Sequence, residues 1–120
     1  MARAPKIPDP LKRRHLVEEE LPPARARALA DAYLAAGRTF DALAFLRKAG
    51  DAERLRGLLS EAVAAGDLFL AREIATLTGE EPGASTWSAL ADAAEAAGRE
   101  RYAAEARRLA AARSGERARG

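Results

Sequence analysis

A register that recurs three times constrains the fold of this chain more than any other feature. An Ala-Ala-Gly triplet ends at Gly37, Gly66 and Gly98; a leucine lies eight residues before each glycine and an alanine five residues after it. The intervals between these glycines are 29 and 32 residues. Self-similarity at such a period is typical of stacked supersecondary units. The register therefore predicts three two-helix hairpins in a row.

Glycines and prolines divide the chain into segments of helical length. Within the segments, apolar side chains recur three and four residues apart, which is the period of one helical face. Gly50 and Gly79 close two further helical runs. Residues suited to helix N-caps stand near the predicted starts: Thr39, Asp51, Asp67 and Ser85 or Thr86. The pattern predicts an all-α fold, arranged as a right-handed stack of three helical hairpins with an N-terminal cap segment.

The predicted core depends on the stacking of the hairpins. One hairpin alone leaves its apolar face wet, whereas stacking three buries a continuous core, and each large aliphatic side chain contributes about 1.5 to 3 kcal/mol. The small alanines of the register allow helix backbones to approach closely. In the fourth helical segment the predicted apolar face consists of Phe69, Leu70, Ile74 and Leu77. In the last segment Leu109 is the predicted final core position.

The first hairpin resembles the tetratricopeptide repeat (TPR). The matching residues there are Tyr33, Gly37, Ala42, Leu46 and Ala49. The third hairpin matches the same family at Trp87, Leu90, Ala91, Gly98, Ala103 and Ala110, and the second keeps Leu58, Gly66 and Ala71. The likeness covers residues 24–113, at intervals shorter than the family period of about 34 residues. It implies a short TPR-like α-solenoid.

The resemblance also implies a binding surface. In the family the first helix of each hairpin lines a concave groove that binds a peptide or another protein. Transferring the groove positions by their distance from each turn glycine gives Arg27, Asp31, Leu34, Arg56, Ser60, Val63, Ser88, Asp92 and Glu95. Asp31, Ser60 and Asp92 stand where members that clamp a peptide carboxylate carry asparagine, so this chain departs from that subclass.

Residues 1–23 form a proline-bounded segment for which a short helix is predicted, with Asp9 as its N-cap and Pro10 as its first residue. Its charges oppose the helix dipole, because Lys12, Arg13 and Arg14 lie at the positive end and three glutamates at the negative end. The segment is therefore expected to depend on apolar contacts with the first hairpin and to cap the open end of the stack. The expected contacts are Leu11, Leu16, Val17 and Leu21.

The charge distribution leaves an alternative function open. The net charge is +2, but residues 99–120 carry seven basic and three acidic side chains, and residues 114–120 are predicted to be a flexible basic tail. The alternative is a basic, nucleic-acid-associated factor that uses both arginine-rich ends. Its patch would comprise Lys12, Arg13, Arg14, Arg107, Arg108 and Arg113. The bias toward alanine and arginine is also typical of GC-rich bacterial genomes.

Residues able to carry catalysis or hold a cofactor are scarce. The chain has no cysteine and one histidine, His15, so no thiolate nucleophile or cysteine-type zinc site is expected. The neighbouring Glu80 and Glu81 lie in a proline-glycine turn, where we expect both to be solvated, whereas acid–base catalysis by a carboxylate pair requires that one of them be desolvated. Trp87 fits a core position better than a base-stacking platform. We expect no enzyme, metal or cofactor, but a cytoplasmic adaptor or scaffold, with no membrane span, that binds another protein or itself.

Overall fold

The computed structural model describes the backbone of residues 7–119 and the side-chain surroundings of residues 7–115. All regular secondary structure within residues 7–119 is helical, which confirms the all-α prediction. The helices are α1 (Pro10–Glu18), α2 (Pro23–Ala35), α3 (Thr39–Lys48), α4 (Ala52–Ala65), α5 (Leu68–Thr78), α6 (Ala84–Ala96) and α7 (Glu100–Arg119). The chain divides into two compact units, an N-terminal unit that ends at Leu55 and a C-terminal unit that begins at Arg56.

Four turns between helices share one hydrogen-bond pattern. At Gly37, Gly50, Gly66 and Gly98, the N–H of the following residue donates to the carbonyl oxygen five residues before it, at 2.8–3.0 Å. The glycine N–H donates to the carbonyl three residues before it, at 3.0–3.1 Å. This is the Schellman motif, which requires a left-handed residue, and φ at the four glycines is 68–75°. The predicted role of these glycines as helix ends is confirmed.

Three of the predicted helix caps are also confirmed. The Asp9 carboxylate accepts the Lys12 N–H at 2.9 Å, and Pro10 opens α1. Asp51 and Asp67 each accept the N–H of the residue three positions later, at 3.2 and 3.1 Å. Each carboxylate thereby satisfies a donor that the first helical turn leaves unpaired.

Two helices begin earlier than predicted. Helix α3 starts at Thr39 itself, with Arg38 as N-cap, and the Arg38 side chain pairs with Asp41 in the first turn at 2.8 Å. Helix α6 starts at Ala84, because Gly83 adopts the extended conformation of an N-cap, with φ −80° and ψ 175°. Glycine is an acceptable cap residue. The predicted caps Thr39 and Ser85 or Thr86 therefore lie inside the first helical turns.

An aromatic pair lies in the core of the N-terminal unit, where α2 packs against α3. The rings of Tyr33 and Phe45 stack, with centroids 5.7 Å apart and planes 7° from parallel. Both side chains are fully buried. The other buried apolar residues of this unit are Leu16, Ala26, Leu29, Ala30, Ala32, Ala42, Leu43, Leu46, Ala49 and Leu55.

Polar contacts attach α1 to the α2–α3 pair. The Arg13 guanidinium donates to the carbonyl oxygen of Asp41 at 2.9 Å and lies 5.6 Å from the ring centroids of both Tyr33 and Phe45. Lys48 in α3 donates to the carbonyl oxygen of Glu19, just past the end of α1, at 2.7 Å. A cation therefore neutralises the negative end of α1 from outside the helix, which offsets the unfavourable order of its own charges.

The predicted apolar contacts of α1 are correct only in part. Leu16 is buried, as predicted, and Val17 and Leu21 are half-buried. The predicted contact of Leu11 is wrong, because 66% of this residue is exposed. It lies five residues before Leu16, which places it roughly 140° around the helix from that buried side chain. Arg13, three residues before Leu16, occupies the inner face instead.

Replacing Arg13 by alanine should therefore weaken the attachment of α1. The change removes a charge-assisted hydrogen bond and a cation–π contact from a side chain that is only 26% exposed, so we expect the free energy of unfolding to fall by about 1.5–3 kcal/mol. Arg14→Ala is the matched control, because its pair with Glu18 is exposed, and it should cost less than about 0.5 kcal/mol. Urea denaturation gives both values, and equal losses would contradict the assigned role of Arg13.

Four helices contribute to the core of the C-terminal unit. This core draws side chains from α4, α5, α6 and α7: Ala62, Leu68, Ala71, Trp87, Leu90, Ala91, Ala94, Ala103, Ala106 and Ala110. Most of them are alanines, so the helices approach one another closely. One such close approach involves Gly66, where an added Cβ would lie 2.4 Å from the backbone nitrogen of Ala94. The prediction that small residues permit close backbone contact is consistent with this geometry.

The predicted face of α5 is wrong at Phe69, which is 61% exposed. The buried residues of α5 are Leu68, Ala71, Ile74 and Ala75. They follow the three- and four-residue period from Leu68, so Phe69 lies about 100° away from that stripe.

The three leucines that lie eight residues before the Ala-Ala-Gly glycines are not equally buried. Leu29 and Leu90 are buried, and Leu58 is half-buried.

Helix α7 extends further than the sequence pattern predicts. Its last buried side chain is Ala110, one residue beyond the predicted final position Leu109, which is half-buried. The backbone stays helical to Arg119, so residues 114–119 of the predicted flexible tail belong to this helix. Residues 1–6 of the N-terminal segment and Gly120 lie outside the described part of the chain. Within the described part, every helix is too short or too polar to span a membrane.

Candidate partner-binding surfaces

Three predicted groove residues lie along one face of α2 in the N-terminal unit. Arg27 and Asp31 are exposed, and Leu34 is half-buried. Both charged residues have ion-pair partners within the unit: Arg27 lies 3.7 Å from Asp51, and Asp31 pairs with Arg54. A ligand on this face would meet charges that are already balanced.

Three more predicted groove residues lie on α4 in the C-terminal unit. Arg56 is exposed and its guanidinium lies 3.5 Å from the carboxylate of Glu80. Ser60 is exposed, and Val63 is half-buried with its side chain packed against the core. This face therefore offers one cation, one hydroxyl and part of an apolar side chain.

The last three predicted groove residues lie on α6. Ser88, Asp92 and Glu95 are exposed. Arg107 of α7 connects the two carboxylates, at 3.4 Å from Asp92 and in an ion pair with Glu95. Exposed ion pairs of this kind contribute between zero and about 1 kcal/mol to the free energy of unfolding. A partner could therefore replace these ion pairs at little cost in free energy, and the face remains available for binding.

Only some of the cations in the predicted basic patch are exposed to solvent. Lys12 and Arg14 are exposed on α1, whereas Arg13 is directed into the N-terminal unit. Arg113 is half-buried on α7. Among the described side chains, the positive charge of this patch is therefore reduced by contacts within the chain.

Arg107 and Arg108 of the same patch both bind carboxylates. Arg107 pairs with α6, and Arg108 donates to both carboxylate oxygens of Glu105, at 2.6 and 2.5 Å. The Arg108 hydrogen bond holds the pKa of Glu105 below its ordinary value. Arg72 lies 3.9 Å from the same carboxylate. Phosphate binding by either α7 arginine would compete with these pairs.

The remaining candidate residues lie either in the core or in solvent. Trp87 is 2% exposed and belongs to the core of the C-terminal unit, so its predicted core position is confirmed. A ring that is buried in this way cannot serve as a stacking platform for a base. Glu80 and Glu81 are both exposed, as expected for a solvated acidic turn. His15 is exposed on α1.

The C-terminal unit carries a further surface that was not predicted from the sequence, and we name it the Phe69 surface. Two adjoining depressions of about 640 and 360 Å³ share Phe69 and Tyr102 in their walls. Phe69 is largely exposed, and Tyr102 is half-buried with part of its side chain packed against the core. Exposed aromatic side chains beside a depression are typical of protein interfaces.

Charged side chains of both signs surround the Phe69 surface. The larger depression is lined by Asp67, Gly98, Arg99, Glu100 and Arg101, and the smaller one by Leu68, Arg72, Glu73 and Thr76. Three of these residues are acidic and three are basic, so the rim carries no net charge. An apolar centre with a charged rim is the usual anatomy of a protein interface.

A signal for this surface does exist in the sequence. Leu68, Phe69 and Leu70 are three consecutive large apolar residues at the start of α5. Successive residues of a helix are separated by about 100°, so three in a row cannot all face one core. One of them must face elsewhere, and in the structure it is Phe69.

Comparisons of this chain with family models, with curated proteins and with solved structures found no match.

Proposed function

We propose that the chain is a short TPR-like stack of three two-helix hairpins that acts in the cytoplasm as a non-catalytic protein–protein interaction module. The hairpins are α2–α3, α4–α5 and α6–α7, and α1 caps the first. The module serves as an adaptor or scaffold for another protein or peptide.

Equivalent turns support the hairpin assignment. The glycines between the two helices of each proposed hairpin carry the same Schellman hydrogen bonds. Residues at equal distances from these glycines are also buried alike. Four positions before the glycine stand Tyr33, Ala62 and Ala94, and five positions after it stand Ala42, Ala71 and Ala103, all of them buried. Equal local geometry with equal burial is what a repeated structural unit requires.

The exposure of the nine groove positions carries the functional proposal. Each one is exposed or half-buried, on the first helix of its proposed hairpin, and none belongs to the buried core. The surface they offer contains carboxylates, guanidiniums, hydroxyls and two partly exposed aliphatic side chains. Such a mixture suits a polypeptide segment with charges of both signs better than a small metabolite.

A capture experiment tests this proposal. Partners are isolated from the source lysate on the wild-type chain and on the double variant Arg27→Glu with Arg56→Glu. We expect the variant to release the groove partner while its circular dichroism spectrum and unfolding curve stay unchanged. The control is Arg25→Glu with Arg47→Glu, which makes the same charge change at exposed positions outside the groove. A partner that is retained equally by all three proteins would contradict the assigned surface.

The nucleic-acid alternative has weaker support, because Arg13 of its patch is directed into the N-terminal unit, where it donates to the Asp41 carbonyl and contacts two aromatic rings. Retention on heparin or duplex DNA distinguishes the two functions. Phosphate binding by the patch would fall steeply with salt and would be lost on replacing Arg107, Arg108 and Arg113 by glutamine. We expect retention that is weak and insensitive to those replacements.

A further inference from the structure

We infer that Tyr33, Phe45 and Asp41 of the α2–α3 pair form a binding site for an arginine side chain, which we name the arginine site. Helix α1 fills this site with Arg13, and an arginine-bearing helix of another protein fills it when α1 is displaced. The inference goes beyond the proposed function, because it involves none of the groove positions and concerns the N-terminal unit alone.

The arginine site holds a guanidinium through two kinds of contact. The carbon at the centre of the Arg13 guanidinium lies 5.6 Å from the ring centroids of both Tyr33 and Phe45, within the range of a cation–π contact. The carbonyl oxygen of Asp41 accepts a hydrogen bond from the same guanidinium at 2.9 Å. A planar cation with several N–H groups can make both kinds of contact at once, so the site favours arginine over lysine.

The acceptor of the arginine site is held by a residue next to it in the chain. Arg38 pairs with one carboxylate oxygen of Asp41 at 2.8 Å and lies 5.4 Å from the ring centroid of Tyr33. The two aromatic rings also stack on each other. None of these contacts comes from α1, so the site is already arranged for an incoming arginine, which lowers the entropic cost of binding.

Arg13 does not use all the hydrogen-bonding capacity of the arginine site. Its Nε is buried and has no hydrogen-bond partner among the described residues, although it lies 3.7 Å from the carboxylate of Asp41. A buried donor without a partner opposes the attachment of α1. An arginine that arrives on another helix is free of the position that α1 imposes, and it can bring an N–H group within hydrogen-bond distance of that carboxylate.

The attachment of α1 is weak enough to allow displacement. Leu16 is the one buried residue of this nine-residue helix, and a helix of that length is marginal on its own. The contact between Lys48 and the carbonyl oxygen of Glu19 is exposed. Segments with few buried apolar contacts open at a lower free energy than the whole domain. Opening of α1 would therefore precede unfolding of α2 and α3.

Helix α1 also shows which partner fits. Arg13 and Leu16 lie three residues apart, which places both side chains on the inner face of the helix. A helix of another protein that carries arginine three residues before leucine can make the same two contacts. A synthetic peptide of residues 8–21 has this pattern and serves as the probe.

The first test is an NMR titration of the full chain with this peptide, followed through the ring protons of Tyr33 and Phe45. The Arg13→Ala chain should bind the peptide with a dissociation constant at least about 10-fold lower than the wild type, in which Arg13 competes at high effective concentration. Both sets of ring resonances should shift. Arg13→Gln in the peptide should remove the tighter binding, and Arg14→Gln in the peptide is the matched control that should keep it.

A second variant leaves the arginine site whole, so the test does not require the Arg13→Ala chain to fold. Lys48→Gln removes only the hydrogen bond to Glu19. It should lower the dissociation constant of the peptide about 3-fold relative to the wild type, because α1 is displaced in a larger fraction of molecules. Arg47→Gln makes the same charge change at the neighbouring exposed position and should leave the dissociation constant unchanged.

Hydrogen exchange of the wild type tests the displacement itself. The equilibrium constant for opening should be at least about 10-fold larger for the amides of α1 than for those of α2 and α3. Equal opening of the three helices would overturn the inference, since α1 would then leave only when the unit unfolds. So would a peptide that shifts neither ring in both variant chains, or one that binds as well without its arginine.

Sedimentation of the wild type as a dimer that Arg13→Ala dissociates would assign the arginine site to α1 of a second copy, and would overturn the choice of another protein as partner. None of these results bears on the groove, because the groove partner is tested with Arg27 and Arg56. Failure of this inference and failure of the proposed function are therefore separate results.

Discussion

Replacement of Gly66 by alanine should lower the free energy of unfolding by about 2–5 kcal/mol. A left-handed φ, here 68°, costs an L-residue about 1–2 kcal/mol. The added Cβ would also lie 2.4–2.8 Å from backbone atoms of Ala93 and Ala94, and overpacking typically costs about 1–3 kcal/mol more. Backbone atoms cannot move aside as a flexible side chain can, so the helices themselves would have to separate.

Gly98→Ala separates the two causes of this loss. Gly98 has φ 75°, and an added Cβ there would meet nothing within 4 Å. This variant should therefore lose only the backbone contribution of about 1–2 kcal/mol. Urea denaturation of both variants gives the difference, which measures the close contact between the α4–α5 turn and α6. Equal losses would mean that the contact is absent in solution.

Truncation of Tyr33 to alanine should be the other large effect, a loss of about 3–5 kcal/mol. Its ring is fully buried and stacks on Phe45, so the substitution leaves a cavity beside the guanidinium of Arg13. Tyr33→Phe keeps the ring, and it should be close to neutral at pH 7 because the buried hydroxyl has no hydrogen-bond partner among the described residues. Thermal unfolding at pH 7 compares the two variants. A small loss for Tyr33→Ala would contradict the packing of this pair.

The buried hydroxyl of Tyr33 should also make the stability of the protein depend on pH in the alkaline range. Burial raises the pKa of Tyr33, although the positive charges of Arg13 and Arg38 oppose the shift. The unfolded chain then releases this proton first, so stability is fully present below the ordinary tyrosine pKa of about 10 and falls as the pH rises above it. When the pH is raised from neutral to above about 10, the free energy of unfolding should therefore fall more for the wild type than for Tyr33→Phe. Parallel losses in urea denaturation would contradict the raised pKa.

Local backbone signals made much of the fold predictable. Gly37 and Gly66 close helices because a left-handed residue is required there, and Asp9 and Asp67 cap helices because their carboxylates accept backbone N–H groups. These effects act over three to five residues, so they can be read from the chain itself. The helices that start at Thr39 and Ala84 begin earlier than predicted, because Arg38 and Gly83 serve as their N-caps.

Tertiary contacts made the rest unpredictable from the sequence alone. The role of Arg13 depends on two aromatic rings and a carbonyl group about thirty residues away, and its neighbours Lys12 and Arg14 have nothing comparable. Periodicity identified an apolar face on α5 but could not decide which of its consecutive apolar residues remains outside. The groove positions come from the family resemblance, whereas their ion-pair partners are brought to them by tertiary contacts from other helices and turns.

Distances between first helices test the central claim most directly. Cysteines introduced in place of Arg27, Arg56 and Ser88 can carry spin labels without interference, because the chain has no cysteine of its own. Neighbouring helices in a stack pack with axes about 8–10 Å apart, so the proposed stack predicts short, similar distances for 27–56 and 56–88 and a distance roughly twice as long for 27–88. A 27–88 distance as short as the other two would contradict a linear stack of three hairpins.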